Sequence, residues 1–304
     1  MPKRDLLDLA SLMPDEIGWL MRRAAAYKAG LRHPALDGRA VGLLFEKPST
    51  RTRVSFEVAI HRLGGHPVLL PIDSMQIGRG ETVADTARVL SGYLSALVIR
   101  TFGQARLEEW AQQATVPVIN GLTDLHHPCQ ILADLFTVYE RFGSLAGRTL
   151  AYIGDGNNIA HSLMEGGALM GMRVVVASPA GSMPDPTITS HAMQIAKVYG
   201  GEVLVHNDPH QAATGADVLY TDVWVSMGQA DSSAHIEALR PYQINADLIA
   251  RANPGALVMH CLPAHRGEEI TAAAMECPQS VIFEQAANRL PVQQAVLERW
   301  VAAG

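Results

Sequence analysis

Short runs of consecutive apolar residues alternate with longer segments whose apolar residues recur at helical spacing along most of the 304-residue chain. A run such as Ala40–Phe45 is typical of a parallel strand that is buried on both faces. The segment Ser49–Gly65 has a helical period, with hydroxyl residues at its start and glycine at its end, and so predicts a helix. The alternation predicts β-α-β units and parallel sheets.

The units fall into two blocks. The first block ends with a long predicted helix, Gln130–Gly143, and the second begins with the apolar run Thr149–Gly154. At roughly 150 residues per domain, the chain length also fits two domains. At the N-terminus, the apolar spacing of Leu6–Leu9 predicts a first helix, and Pro14 starts a second. A last helix is predicted after Asn288.

Charge and composition exclude several classes of protein. The formal net charge of −6 argues against a protein that coats nucleic acid, because such proteins usually carry a basic surplus. The apolar runs stay below the ~20 residues that a membrane-spanning helix needs, so no membrane association is expected. The 3 cysteines are too few and too scattered for a disulfide framework or a zinc ribbon. We therefore expect a reducing, cytoplasmic location.

Hydroxyl and guanidinium groups open the helix that follows the first predicted strand. Ligands of open α/β sheets bind beyond the carboxyl ends of the strands, and a helix N-terminus offers unpaired N–H groups to an anion. The segment predicts a phosphate pocket, although an ordinary helix cap with solvated arginines would explain the same residues. The five residues are Ser49, Thr50, Arg51, Thr52 and Arg53.

Two further strand ends in the first block carry candidate chemistry. Arg100 ends an apolar run, which favours a buried anion or carbonyl partner or, alternatively, an ion pair at a domain interface. His127 follows His126 and precedes Cys129 and Gln130, and such a histidine can polarise a carbonyl. A catalytic Cys–His dyad and a zinc site are the alternatives. We favour Cys129 as a small buried apolar residue.

The second block begins with a glycine-rich turn, Gly154–Gly156, that resembles the start of a dinucleotide fingerprint. Ile159 stands where the third glycine belongs, and Ser178 ends the next strand where a ribose-binding acid is expected. The turn is therefore weak evidence for an NAD-dependent dehydrogenase. Asn158 can hold a substrate carboxylate or cap its helix.

The remaining candidates follow later strands. Asp222 and the segment Ser226–Gly228 lie in a loop that either closes over a ligand or forms a plain turn. Cys261 ends a strand beside Pro263, and Arg289 is expected at the entry to the last helix.

Taken in order, these motifs resemble those of the carbamoyltransferases, from Phe45 to the last helix. Ser-Thr-Arg-Thr and His-Pro-Cys-Gln are typical of the whole superfamily, whereas Ser-Met-Gly and His-Cys-Leu-Pro are typical of the members that act on ornithine. The matched positions are Ser49–Arg53, Arg100, His127–Gln130, Asp222 with Ser226–Gly228, and His260–Pro263.

The resemblance implies an α/β fold of two doubly wound parallel-sheet domains, with a C-terminal helix returning to the first domain. Residues 1–135 would form a carbamoyl phosphate-binding domain, helix 288–304 would pack back on it, and residues 147–285 would bind ornithine. Relatives are built on a trimer in which the residue matching Gln76 reaches a neighbouring subunit's carbamoyl phosphate. We therefore expect a homotrimer or a multiple of it.

The resemblance also implies which residues bind and react. The carbamoyl phosphate set comprises Ser49, Thr50, Arg51, Thr52, Gln76, Arg100, His127, Gln130, Cys261, Leu262 and Arg289. The ornithine set comprises Asn158, Asp222, Ser226 and Met227, and the catalytic groups are Arg100, His127, Cys261 and Asp222.

The implied reaction transfers the carbamoyl group of carbamoyl phosphate to the δ-amine of L-ornithine, giving L-citrulline and phosphate. Arg100 and His127 would stabilise the tetrahedral oxyanion, and no metal or redox cofactor is expected. We expect the biosynthetic direction, towards arginine. A dehydrogenase of the same architecture and a non-catalytic amino-acid-binding regulator are the competing classes.

Overall fold

The computed structural model describes residues 3–225 and 233–302. The chain separates into two compact units. The first comprises Met1–Leu132 together with Asn288–Gly304, and the second comprises Ala133–Ala287.

The first unit contains a parallel four-stranded sheet in the order β2-β1-β3-β4. Its strands are β1 (Ala40–Phe45), β2 (His66–Pro71), β3 (Ala96–Arg100) and β4 (Val118–Leu122). The α-helices between and before them are α1 (Pro14–Lys28), α2 (Thr50–Arg62), α3 (Val83–Ser91) and α4 (Gln104–Gln113). Two short 3-10 helices, Ile72–Ser74 and Gln76–Arg79, follow β2.

Helix α5 (Pro128–Phe142) leads into the second unit, whose parallel five-stranded sheet has the order β7-β6-β5-β8-β9. Its strands are β5 (Thr149–Ile153), β6 (Arg173–Ala177), β7 (Glu202–His206), β8 (Val218–Thr221) and β9 (Leu257–His260). The α-helices are α6 (Asn158–Leu169), α7 (Pro186–Tyr199), α8 (Pro209–Ala213), α9 (Ser233–Leu239), α10 (Ala246–Arg251) and α11 (Ala272–Met275). Two 3-10 helices, Ala180–Ser182 and Arg240–Tyr242, complete it.

The last helix, α12 (Ile282–Leu297), begins six residues before the predicted start at Asn288 and continues as a π-helix, Glu298–Ala302. From Asn288 onward it packs within the first unit. Lys28 Nζ donates to Asn288 Oδ1 at 2.8 Å, and Arg23 Nε donates to Glu298 Oε2 at 2.6 Å. The expected return of the C-terminal helix to the first domain is confirmed.

The predicted helix at Leu6–Leu9 is wrong. Leu6 forms a parallel bridge with Ile119 of β4, where Leu6 N donates to Val118 O at 2.9 Å and Asn120 N donates to Leu6 O at 2.8 Å. An edge strand leaves backbone groups unpaired, and the extended N-terminal segment satisfies them. Pairing with the sheet thus overrides the local helical spacing.

The α/β class and the two parallel sheets are confirmed. All 5 residues of β3 are buried, as a continuous apolar run in a central parallel strand predicts. Within the described residues, no helix combines the length and apolar character that crossing a bilayer would require. The carboxyl ends of the strands carry the candidate site residues.

Candidate active site

The first unit builds an anion-binding corner at the N-terminus of α2. Ser49 caps the helix, because its Oγ accepts a hydrogen bond from Thr52 N at 3.2 Å. Thr50 and Arg51 are exposed, whereas Thr52 is buried. The remaining N–H groups of the first turn and the positive end of the helix dipole favour an anion here.

Arg289 brings a buried positive charge to the same corner. Its Nη2 donates to Thr52 Oγ1 at 2.8 Å, and the residue is only 4% exposed. Arg289 lies inside α12 rather than at its entry, so the predicted position in the helix is wrong. The longer helix carries the guanidinium to the start of α2.

Arg100 is the last residue of β3 and is 6% exposed. The register with β4 shifts between Ile99 and Arg100, so that Arg100 pairs with Leu122. Such irregularities re-aim side chains at the ends of strands. On the other side, Glu46 N donates to Arg100 O at 2.9 Å and holds the backbone in place.

His127 is buried beside these two arginines. Burial first, and then the positive charges of Arg289 and Arg100, lower the pKa of His127 well below its usual value. The imidazole is therefore neutral at neutral pH and can polarise a carbonyl without adding charge. Gln130 lies one turn further along, in α5, where its backbone N donates to His127 O at 3.1 Å.

Cys129 is wholly buried, and its Sγ donates to Asn120 O at 3.5 Å. Burial raises the pKa of the Cys129 thiol to about 12, so the thiolate that nucleophilic catalysis requires is disfavoured. Cys129 is therefore a small buried residue rather than a member of a Cys–His dyad.

Gln76 begins the 3-10 helix Gln76–Arg79, and its side chain is exposed.

The second unit builds a thiol–carboxylate pair. Asp222 follows β8, Cys261 follows β9, and both residues are buried. Cys261 Sγ donates to Asp222 Oδ1 at 2.9 Å. Burial, and then the charge of Asp222, raise the pKa of the Cys261 thiol well above its usual value. Cys261 is therefore a neutral donor, and Asp222 supplies a buried carboxylate at the end of the strand.

The turn after Cys261 has an unusual backbone. Leu262 has a φ of 61°, a left-handed conformation that leucine rarely adopts, and the Leu262–Pro263 bond is cis. His260 supports the turn: its Nδ1 accepts from Leu262 N at 2.9 Å, which leaves Nε2 to donate to Glu269 Oε1 at 2.9 Å. Non-glycine residues in the left-handed region, such as Leu262, cluster at functional sites.

The second unit also corrects the role of Asn158. Asn157, not Asn158, caps α6, since its Oδ1 accepts from Ile159 N at 3.0 Å. Asn158 is the first residue of the helix and is buried. The Asn157 amide also donates to Asp222, a contact that sequence reasoning missed because only Asn158 was considered in this segment.

Ligand atoms of Asp222, His260 and Cys261 lie within 4.8 Å of one another, a spacing that could suit a metal ion. In this arrangement, however, both ring nitrogens of His260 and the thiol of Cys261 take part in hydrogen bonds within the protein. The predicted ornithine ligands Ser226 and Met227 lie outside the described residues.

An anion-binding corner in one α/β unit and a buried carboxylate in the other suit a group-transfer enzyme. Residues 4–140 match the family model described as aspartate/ornithine carbamoyltransferase, carbamoyl-P binding domain. Residues 146–300 match the model described as aspartate/ornithine carbamoyltransferase, Asp/Orn binding domain. The chain belongs to the aspartate/ornithine carbamoyltransferase family, and it is a carbamoyltransferase.

Individual relatives agree with the family models. The chain is 52% identical to an ornithine carbamoyltransferase of Symbiobacterium thermophilum, over 97% of this chain and 96% of that protein. It is similar to the ornithine carbamoyltransferase structure from Pyrococcus furiosus, with 48% identity, a TM-score of 0.95 and coverage of 99% and 97%. The anabolic ornithine carbamoyltransferase of Campylobacter jejuni is 36% identical, with a TM-score of 0.91 and 97% coverage of both chains. The dehydrogenase and regulator alternatives are not supported.

Proposed function

We propose that the protein is an ornithine carbamoyltransferase that carbamoylates the δ-amine of L-ornithine and releases L-citrulline and phosphate. The observation that carries the proposal is the buried Asp222 carboxylate with its Cys261 donor. A buried carboxylate recognises an ammonium group and repels a second carboxylate. This favours ornithine, which carries two amines and one carboxylate, over aspartate, which carries a second carboxylate in place of the second amine.

The first unit would hold carbamoyl phosphate. The N-terminus of α2 would bind the phosphate through Ser49, Thr50, Arg51 and Thr52, and Gln130 and Arg289 would contact the carbamoyl group. Arg100 and the neutral His127 would stabilise the oxyanion that forms when the carbonyl carbon is attacked. Two buried guanidinium groups, those of Arg100 and Arg289, suit a substrate that carries a phosphate.

The second unit would hold the acceptor. Asp222 would bind the α-amine of ornithine, and Cys261 would lie near the δ-amine, whose pKa of ~10.4, by analogy with lysine, means that it must lose a proton before attack. The departing phosphate is a suitable base. Asn158 would contribute to carboxylate binding, together with Ser226 and Met227, and the carbonyl of Leu262 would contact the carbamoyl amino group.

We further propose the biosynthetic direction, towards arginine, which the similarity to the anabolic enzyme of Campylobacter jejuni supports. Cytoplasmic conditions would keep the free cysteines Cys129, Cys261 and Cys277 reduced. A homotrimer, or a multiple of it, is proposed from the family resemblance.

The experiment is a comparison of acceptors at saturating carbamoyl phosphate. Ornithine, aspartate and putrescine are each supplied, and carbamoylated product is measured with the wild type and with Asp222→Asn. We expect ornithine to be used at least ~100-fold more efficiently than the other two, and Asp222→Asn to lose most of that preference. Comparable use of aspartate or putrescine by the wild type would refute the proposed acceptor.

A further inference from the structure

The side-chain amide of Asn157 is held in one orientation by two backbone donors. Its Oδ1 accepts from Ile159 N at 3.0 Å and from Ala160 N at 3.4 Å. An amide nitrogen cannot accept these bonds, so the oxygen must face the start of α6. The Nδ2 of Asn157 consequently points the other way.

In that direction lies Asp222. Asn157 Nδ2 donates to Asp222 Oδ2 at 3.0 Å, while Cys261 Sγ donates to Oδ1 at 2.9 Å. Within residues 3–225 and 233–302, each carboxylate oxygen thus receives one hydrogen bond, from Asn157 or from Cys261. Because an ionised carboxylate offers about four acceptor positions, both oxygens keep the capacity to bind an ammonium group.

The turn that carries Asn157 is itself fixed. A side chain at Gly156 would place its Cβ 2.3 Å from Pro184 N and 2.5 Å from Ser182 O, so only glycine allows this close packing. Gly156 N also donates to Ser182 O at 2.7 Å. The position of the Asn157 amide is therefore set before any ligand binds.

We propose that Asn157 is a positioning residue, which orients the Asp222 carboxylate towards the amine of the acceptor substrate. The inference rests on the proposed function, since it assumes that Asp222 binds this amine. Asn157 itself does not need to touch the acceptor. Its hydrogen bonds fix the plane of the carboxylate, and a preoriented charge loses less conformational freedom on binding.

Asn157→Ser separates this role from helix capping. Serine is a good cap residue and can still accept from the first N–H groups of α6, but it cannot reach Asp222 with a donor. We expect Asn157→Ser to raise the KM for ornithine at least ~10-fold, because a hydrogen bond to a charged group is lost. The KM for carbamoyl phosphate should change less than ~2-fold.

The matched control is Asn245→Ser. Asn245 caps α10 in the same way, accepting from Asp247 N at 3.0 Å and Leu248 N at 3.2 Å. Its substitution makes the same chemical change at a helix start in the same unit. We expect both KM values of this variant to stay within ~2-fold of the wild type.

Asn157→Asp provides the second test. Aspartate caps a helix as well as asparagine does, but it would place a second carboxylate against Asp222. We therefore expect Asn157→Asp to raise the KM for ornithine more than Asn157→Ser, although the cap is retained. If the serine variant does not fold, this variant decides alone.

The outcomes separate the two proposals. If the wild type makes no citrulline, the proposed function fails and this inference fails with it. If the wild type makes citrulline and both Asn157 variants keep the wild-type KM for ornithine, only the inference is overturned. An equal rise in the KM values of both substrates would show a structural role and would also overturn it.

Discussion

Arg289 Nη2 donates to Thr52 Oγ1 at 2.8 Å, although 237 residues separate the two in the chain. The bond joins the last helix to the start of α2, so the final segment of the chain completes the anion-binding corner of the first unit. A guanidinium in this buried position adds its charge to that of the helix N-terminus. Truncation before Asn288 would therefore remove part of this candidate site.

Arg100→Ala is expected to lower kcat by ~10²–10³-fold or more, because one preorganised oxyanion donor is lost. Steady-state kinetics measures the effect on turnover, and thermal unfolding measures the effect on stability. The unfolding temperature should stay close to that of the wild type. Arg88→Ala is the control, since Arg88 is exposed and pairs with Asp85 at 3.8 Å. A kcat within a few fold of the wild type in Arg100→Ala would end the oxyanion assignment.

Cys277 should react with a thiol reagent faster than Cys129 and Cys261 do. Cys277 is only partly buried, whereas Cys129 and Cys261 are buried and burial raises the pKa of both thiols. We expect one thiol to react rapidly at pH 8 in the native protein, and Cys277→Ser to abolish that phase. Rapid labelling of Cys261, identified by peptide mass, would contradict the buried thiol–carboxylate pair.

Asp155 should make the protein less stable as the pH rises from about 4 to 6. The pKa of Asp155 is raised from 3.8 to about 6, and the largest cause of this change is burial of the carboxyl group. Within this window the folded state keeps a proton that the unfolded state has released, so its stability falls with rising pH, by on the order of 3 kcal/mol in all. Asp155→Asn removes the titrating group.

Urea unfolding at pH 4, 5, 6 and 7 tests this sign. Relative to the wild type, Asp155→Asn should gain stability with rising pH. Asp185→Asn is a control of opposite sign, because backbone hydrogen bonds from Ile188 and Thr187 lower the pKa of Asp185. The advantage of the wild type over this control should be present above the unfolded pKa and lost as the pH falls. Parallel curves for the wild type and Asp155→Asn would contradict the prediction.

The proposed trimer predicts complementation between two inactive variants. Gln76 is exposed in the single chain, and the family resemblance implies that it would reach the carbamoyl phosphate of a neighbouring subunit. Trimers of Gln76→Ala and trimers of Arg100→Ala should each be poorly active. After mixing and reassembly, each hybrid ring contains one site with both residues intact, because contacts in a three-fold ring run head to tail.

Hybrid trimers are isolated with two different affinity tags, one on each variant. Their activity shows whether Gln76 acts in the site of a neighbouring subunit. Recovery towards one third of the wild-type rate per trimer is expected. If both parents are crippled and the hybrids stay inactive, Gln76 acts within its own subunit. If Gln76→Ala alone is harmless, the segment is an ordinary surface loop.

Local patterns were sufficient for much of the fold. β1 has the predicted bounds Ala40–Phe45, because a buried parallel strand needs only a continuous apolar run that ends at a proline or a polar residue. The cap at Ser49 likewise follows from the type of residue before a helix. These features depend on neighbours in sequence, which is why the sequence indicates them.

Features that depend on distant partners could not be predicted in this way. Leu6 is extended because the edge of β4 offers it backbone partners, and that edge is more than one hundred residues away. The amide of Asn157 is directed at Asp222 by the fold of the second unit, and no spacing along the chain reveals it. Motif resemblance named Asp222 and Cys261, but only the structure pairs them.

The most direct test of the central claim is the fate of the carbamoyl carbon. Carbamoyl phosphate labelled with ¹³C is mixed with L-ornithine and a substoichiometric amount of enzyme, and the reaction is followed by ¹³C and ³¹P NMR. We expect the label to move to the ureido carbon of citrulline, one phosphate to form per citrulline, and no transfer when aspartate replaces ornithine. Label that leaves only as carbonate, or that moves to aspartate as readily as to ornithine, would contradict the assignment.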